Sequence, residues 1–201
     1  TLEPEPASDD VRPRWRQSML GRRRTLSSQA VVLATGFEPY DPSDNPLLGY
    51  GHFDGVVTTG NLDHMLREDD LAAFAPDDDT PLRVAFIQCV GSRNEEHPYC
   101  SRICCAQAIT NAVMLKKENP DMDLFILYRD IRTYSDRELL YKEARDLGII
   151  FIPYKQDDKP VVKKDQNSLA IQTFDPISQQ LVQIDADLLF LSTAIIPNTT
   201  S

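Results

Sequence analysis

Apolar and polar positions along this chain follow two periods, and the switches between them outline a fold. From Arg83 the run RVAFIQC is continuously apolar and reads as a buried strand. A polar loop follows, then a helical run from about Cys104 to Asn119. DLFILYRDI, residues 123–131, is a second buried strand. Ser135 and Glu138 have the spacing of a capping box, and the helix they predict runs through LLYKEARDL to Gly148, a left-handed C-cap. IIFIPY is a third strand. Strands alternating with helices predict parallel pairing in a β-α-β-α-β core.

The pattern changes after Pro160. SLAIQTFD and QQLVQIDA flank a DPIS turn and predict an antiparallel hairpin, part of a C-terminal β-meander. DADLLFLSTAII predicts one last buried strand. Upstream, VVLATG (31–36) predicts a short buried strand ending at Gly36. Prolines 39, 42 and 46 mark the next stretch as loop. VVTTGNLDHMLRE predicts an extended segment leading into a short helix, with Asn61 as N-cap. The expected class is α/β: a Rossmann-like parallel sheet plus an antiparallel meander. Three segments are expected: a flexible or partner-docking arm over 1–29, a connecting segment over 30–80, and the Rossmann-like domain over 81–198.

Composition narrows the function classes. The 201 residues carry 31 acidic and 21 basic side chains, a formal charge of −10. Nucleic-acid binding, which needs a basic footprint, is disfavoured. The basic run from Arg12 to Arg24 reads as a solvated or docking arm. No apolar run approaches the about 20 residues of a membrane span, and no signal peptide is visible. Four cysteines in this length suit a reducing cytoplasm better than a disulfide framework.

All four cysteines fall in one stretch, QCVGSRNEEHPYCSRICC, as Cys89, Cys100, Cys104 and Cys105. Four thiols at one place are the ligand set of an iron–sulfur cluster or a tetrahedral zinc site. The spacing is neither the paired C-x2-C of a zinc ribbon nor the repeat of a bacterial ferredoxin. The stretch joins a strand end to a helix N-terminus, where an open α/β sheet holds a dinucleotide phosphate. That helix end favours thiolates and an anionic cluster, with Arg93 and Arg102 adding positive charge. No G-x-G-x-x-G occurs, and Gly91 is the one glycine near the strand end, so NAD(P)H binding is disfavoured. A [4Fe–4S] cluster is the leading reading; a zinc staple and an NAD(P)H domain are the alternatives. His97 is a weaker candidate ligand. His52 and His64 lie apart from any Ser or Cys nucleophile in sequence. Asp130, Arg132 and Tyr134 follow the second strand and are expected along the same sheet edge as the cysteine loop.

The signature CVGSR…YCSRICC, with VVLATGFEPYDP, GYGHFDGVVTTGNLDHML, LYRDIRTY and LLFLSTAIIPN, resembles the flavin-containing A subunits of heterodisulfide reductases. It is similar also to flavoprotein subunits of quinone-interacting membrane-bound oxidoreductase complexes. The resemblance covers roughly residues 30–198. It implies a FAD-dependent, pyridine nucleotide-disulfide oxidoreductase-like module with a [4Fe–4S] cluster on Cys89, Cys100, Cys104 and Cys105. It implies that Ala34, Thr35 and Gly36 lie near the flavin, where the chain leaves the FAD domain, so that 30–80 includes a remnant of that domain. It implies electron transfer between cluster, flavin and partner subunits, and is compatible with a homo-oligomer. The family's N-terminal glycine fingerprint and its ferredoxin-type cysteine repeats are absent here, and its glycine near Ala194 is missing. The chain is therefore expected to be a fragment of a larger flavoprotein that does not act alone.

Overall fold

The structure, a computed structural model, describes residues 29–30, 32, 34–62, 64–65, 80–165 and 168–198. The expected arm over 1–29, including Arg12–Arg24, lies almost wholly outside them. The chain divides into two units, Thr1–Thr35 and Gly36–Ser201. In the first, the described residues 32, 34 and 35 are exposed and form no strand; Val32 is 89% exposed. The buried strand expected over 31–36 is thus not found among them. An apolar run needs a covering layer to become a core strand, and Val32 has none.

The second unit is built on a five-stranded parallel sheet. Its strands are β2 (Val56–Thr58), β3 (Arg83–Val90), β4 (Asp123–Tyr128), β5 (Ile150–Pro153) and β9 (Leu188–Thr193), in the order β2-β9-β3-β4-β5. Helix α1 (Cys104–Glu118) joins β3 to β4, and α2 (Arg137–Asp146) joins β4 to β5. The expected β-α-β-α-β core is present. Beside it lies an antiparallel meander of β6 (Val161–Asp165), β7 (Ser168–Asp175) and β8 (Gln180–Ala186). A two-stranded ribbon pairs β1 (Phe37–Pro39) with β10 (Ile195–Pro197).

Strand periodicity assigns the layers. Along β3, Val84 and Phe86 pack with Ala108, Ile109 and Ala112 of α1, whereas Ala85 and Ile87 pack with Leu169, Ile171 and Ile184 of the meander. Alternate side chains point to opposite faces, and both faces are covered, which is why RVAFIQC reads as unbroken apolar sequence. Ala108 and Ala112, one turn apart and fully buried, let α1 lie close to the sheet. Phe86 stacks on Phe190 at 5.2 Å between centroids. At the opposite end of these strands Asp187 accepts from the Arg83 backbone N–H at 2.9 Å and from Nη2 at 2.6 Å.

Several local expectations differ from the structure: Asn61, expected as an N-cap, ends a 3-10 turn whose N-cap is Thr58, and Phe37–Pro39, expected as loop, pairs as β1. Ser135 adopts φ +55° and does not cap α2; Asp136 is the N-cap residue, without a side-chain bond, and Thr133 Oγ1 donates to Glu138 instead. The last apolar run breaks at Ala194 into β9 and β10. Ala194 is buried, donating to Val90 O at 2.7 Å and accepting from Tyr40 N at 2.8 Å. The expected stop at Gly148 holds: with φ +82°, Gly148 N donates to Arg145 O and Ile149 N to Ala144 O, a Schellman pair.

Candidate metal centre

Strand β3 ends irregularly. Its register against β9 shifts between Ile87 and Val90, and Cys89 within the shift takes φ +62°. Such a bulge re-aims a side chain that regular pleating would send into a packed layer. The loop then folds back on itself: Ser92 N donates to Cys89 O at 3.3 Å, Arg93 N to Tyr99 O at 3.2 Å, and Asn94 N to His97 O at 3.2 Å. It is anchored to the final segment by Ile195 N donating to Ser101 Oγ (3.1 Å) and Tyr99 Oη donating to Ile195 O (3.3 Å). Helix α1 starts at Cys104 behind Ile103, with no side-chain cap and no acidic residue in its first turn. Its leading N–H groups and positive dipole end therefore remain available to an anion.

All four cysteines are free thiols; Cys104 and Cys105 are buried, Cys89 and Cys100 half-buried. The structure brings them into mutual electrostatic reach. Burial, reinforced by Cys105, Cys89 and Cys100, pushes the Cys104 thiol up to about 12. Burial also raises Cys89, against the charge and hydrogen bonding of Arg93 and the charge of Arg129. Burial raises Cys105, against a hydrogen bond from the Arg132 backbone. Direct contacts complete the sulfur surroundings: Arg102 N donates to Cys100 Sγ at 3.4 Å, and Cys105 Sγ donates to Asp130 O at 3.7 Å. Burial thus favours the protonated thiol at Cys89, Cys104 and Cys105, and a metal bound there would favour the thiolate.

Guanidinium groups ring the thiols. Arg93 pairs with Asp130 at 2.6 Å, Arg132 with the same carboxylate at 3.2 Å, and Arg129 Nη1 donates to Arg93 O at 2.9 Å. Arg93 Nη1 is sealed from water and has no hydrogen-bond partner. Arg129 was not expected from sequence; the one signal for it was its place beside Asp130 at the end of the second strand. Arg102 contributes its backbone, and its side chain is exposed. Tyr134 is 52% exposed, while Asp130 and Arg132 reach Cys105 through their backbones. His97 lies edge-on between Tyr40 and Tyr99, each centroid 5.9 Å away, with Nδ1 unpartnered. Among the described residues no group of three or more His, Cys, Asp or Glu side chains is placed to hold a metal ion. Ala34 and Thr35 fall in the first unit and are exposed. Gly36 opens the ribbon at φ +77°, accepting from Asn198 N at 3.2 Å.

A cleft of about 390 Å³ opens on one side of this centre. Tyr40, Leu47, Tyr154 and Lys159 line it, and it reaches Cys89 and Gly91. Tyr154 Oη donates to Gln88 O at 2.5 Å beneath it.

These features define a Rossmann-like α/β domain in which a thiol-rich loop joins a sheet strand to the following helix. Its relatives are specific. The chain is 33% identical over 206 residues to the A subunit of the ferredoxin:CoB-CoM heterodisulfide reductase of Methanosarcina acetivorans, covering 86% of this chain and 26% of that protein. It is 35% identical over 176 residues to the A subunit of the H(2)/formate:CoB-CoM heterodisulfide,ferredoxin reductase of Methanococcus maripaludis, covering 82% and 26%. The iron-sulfur A subunit of the CoB–CoM heterodisulfide reductase of Methanocaldococcus jannaschii is 34% identical over 183 residues, covering 86% and 27%. Over the matched region the chain is a homologue of heterodisulfide reductase A subunits. It spans about a quarter of the length of these curated relatives. No protein-family model matches it. Among solved structures, L-lysine 6-monooxygenase from Pseudomonas syringae is similar at a TM-score of 0.46 and 11% identity, over 79% of this chain and 43% of that one. At that level it adds nothing to the assignment.

Among the described residues no helix is long and apolar enough to cross a membrane.

Proposed function

We propose that Cys89, Cys100, Cys104 and Cys105 hold a [4Fe–4S] cluster, and that the domain moves electrons between it and a flavin of the longer protein. The observation that carries this reading is the convergence of four unpaired thiols, from a bulged strand end, a loop and a helix start, under Arg93, Arg129 and Arg132. The residues fit the group. A cluster on four thiolates is anionic overall, and an uncapped helix N-terminus with three guanidinium groups offsets that charge.

When bound, the cluster would supply one-electron transfer. The chain's own residues then bury it, hold its sulfurs and set its distance from the next carrier; no acid, base or nucleophile is required. Burial of Cys104 and Cys105 excludes water from the helix side, and the half-buried Cys89 and Cys100 face the more open side. We further infer that the turn at Ala34, Thr35 and Gly36 borders FAD in the longer protein. The ribbon that starts at Gly36 is fastened to the cysteine loop through Tyr99, Ser101 and Ile195, which would fix the path from flavin to cluster. The relatives are named as subunits of heterodisulfide reductases, and this chain is proposed to work within a comparable assembly. The alternatives are a zinc staple and an NAD(P)H domain.

The test is iron, zinc and acid-labile sulfide on protein purified without oxygen. About four iron and four sulfide per chain are expected for this cluster type. Stoichiometric zinc without sulfide refutes the cluster and establishes the staple.

A further inference from the structure

Arg93 occupies a backbone position that an arginine takes at a cost. Its φ of +57° lies in the left-handed region, where glycine or asparagine is cheaper. The residue is nevertheless held through both backbone and side chain. Nη2 pairs with Asp130 Oδ2 at 2.6 Å, Arg129 holds its carbonyl at 2.9 Å, and its own N–H is tied to Tyr99 O. One donor of this clamped fork, Nη1, is left buried with no partner. Buried donors are almost always satisfied, and an unsatisfied one in a native site calls for an absent acceptor. The acceptor is indicated by the neighbourhood: Arg93 directly follows the turn that Ser92 N closes onto Cys89 O, and its partner Asp130 accepts from Cys105 Sγ through its carbonyl at 3.7 Å.

We propose, resting on the cluster reading, that Arg93 is a positioning residue whose Nη1 donates to the sulfur shell at Cys89 and thereby raises the reduction potential of the cluster. Hydrogen bonds to cluster sulfurs and nearby positive charge both favour the state with the added electron. Asp130 holds one nitrogen of the fork, and the other is the one this proposal assigns to the sulfur. Lysine keeps the charge but offers one ammonium in place of the planar fork, so it cannot satisfy both partners in the same geometry. A residue serving only to staple the loop to the end of β4 would leave the potential alone.

The experiment is an anaerobic redox titration, followed by electron paramagnetic resonance, on the reconstituted full chain, as wild type, Arg93→Met and Arg93→Lys. Iron and sulfide are counted first in each. The expected result is full cluster content with a more negative midpoint potential in Arg93→Met and a smaller negative shift in Arg93→Lys. If Arg93→Met loses its cluster, the shift in Arg93→Lys decides alone. A loaded variant with the wild-type potential overturns the role of Arg93 while leaving the ligands standing. Loss of the cluster from both variants assigns Arg93 to assembly and overturns it too. An empty wild type refutes the four-cysteine ligand set, and this proposal with it.

Discussion

Replacing Gly91 with alanine tests whether the cysteine loop is held by close packing. Gly91 sits two residues beyond Cys89 at φ +76°. A Cβ there would meet the Tyr40 ring at 2.3 Å from Cγ and Cδ1 and 2.7 Å from Cε1. Turning the ring about χ2 does not clear it, because Cγ lies on that axis; relief needs a new χ1 rotamer or a shift of the Tyr40 backbone, whose N is tied to Ala194 O at 2.8 Å. The left-handed backbone costs alanine about 1–2 kcal/mol. Overpacking a fitted site adds about 1–3 kcal/mol. Reduced freedom of the unfolded chain returns about 0.4–1 kcal/mol. The net destabilisation expected for Gly91→Ala is about 1–4.5 kcal/mol. Urea denaturation reads it, and a cycle with Tyr40→Ala separates its parts. With the ring removed, the steric part of about 1–3 kcal/mol should disappear while the backbone part stays. A change below about 0.5 kcal/mol, or strict additivity in the cycle, refutes the packing argument. Iron content should fall with stability, since a displaced Tyr40 disturbs the turn that places Cys89.

Three further outcomes are expected. Cys105→Ser should lose iron and sulfide in anaerobic preparations; a variant with full content removes Cys105 from the ligand set. Asp187→Asn should cost about 1.5–3 kcal/mol in urea, because a carboxylate with only 8% side-chain exposure accepts a charged bond from Arg83; an unchanged midpoint and slope would sink that account. Calorimetric titration with NADH should give no binding heat, since Gly91 alone stands near the end of β3 where a pyrophosphate loop uses three glycines; stoichiometric binding would restore the NAD(P)H reading.

What the sequence disclosed follows from where local signals decide the outcome. β3, α1, β4 and α2 were legible because each carries its own period, and the glycine at 148 stops α2 by backbone chemistry alone. The position of β9 was not legible. LLFLST says that a strand is buried on both faces, and Leu188 to Leu191 are fully buried, but nothing local says that it enters between β2 and β3. The ribbon was missed for a related reason: FEP and IIP are short, exposed or half-exposed and proline-bearing, and they are strands only because each pairs with the other. Ser135 matched the capping pattern, yet its left-handed backbone leaves Thr133 to reach Glu138. At the candidate centre, the four thiols were legible as one stretch of sequence. The contribution of Arg129, which comes from the end of a different strand, was not.

The distribution of backbone strain ties these points to function. Among the described residues five non-glycines have positive φ, and Cys89, Arg93 and Arg102 are three of them, all within the cysteine loop. A loop selected only for connection would place glycine or asparagine at such positions. Here each strained position contributes something specific. Cys89 is turned out of the pleat by the bulge, Arg93 presents a clamped fork, and Arg102 offers its N–H to Cys100. A phosphate-binding loop needs glycines so that backbone amides can approach a ligand closely. A cluster needs side chains at the same crevice, since its ligands are thiolates and its charge is balanced by guanidinium groups. The same strand–loop–helix corner can thus serve either ligand, and the strained side chains, kept where glycine would be cheaper, fit the cluster proposed for this loop.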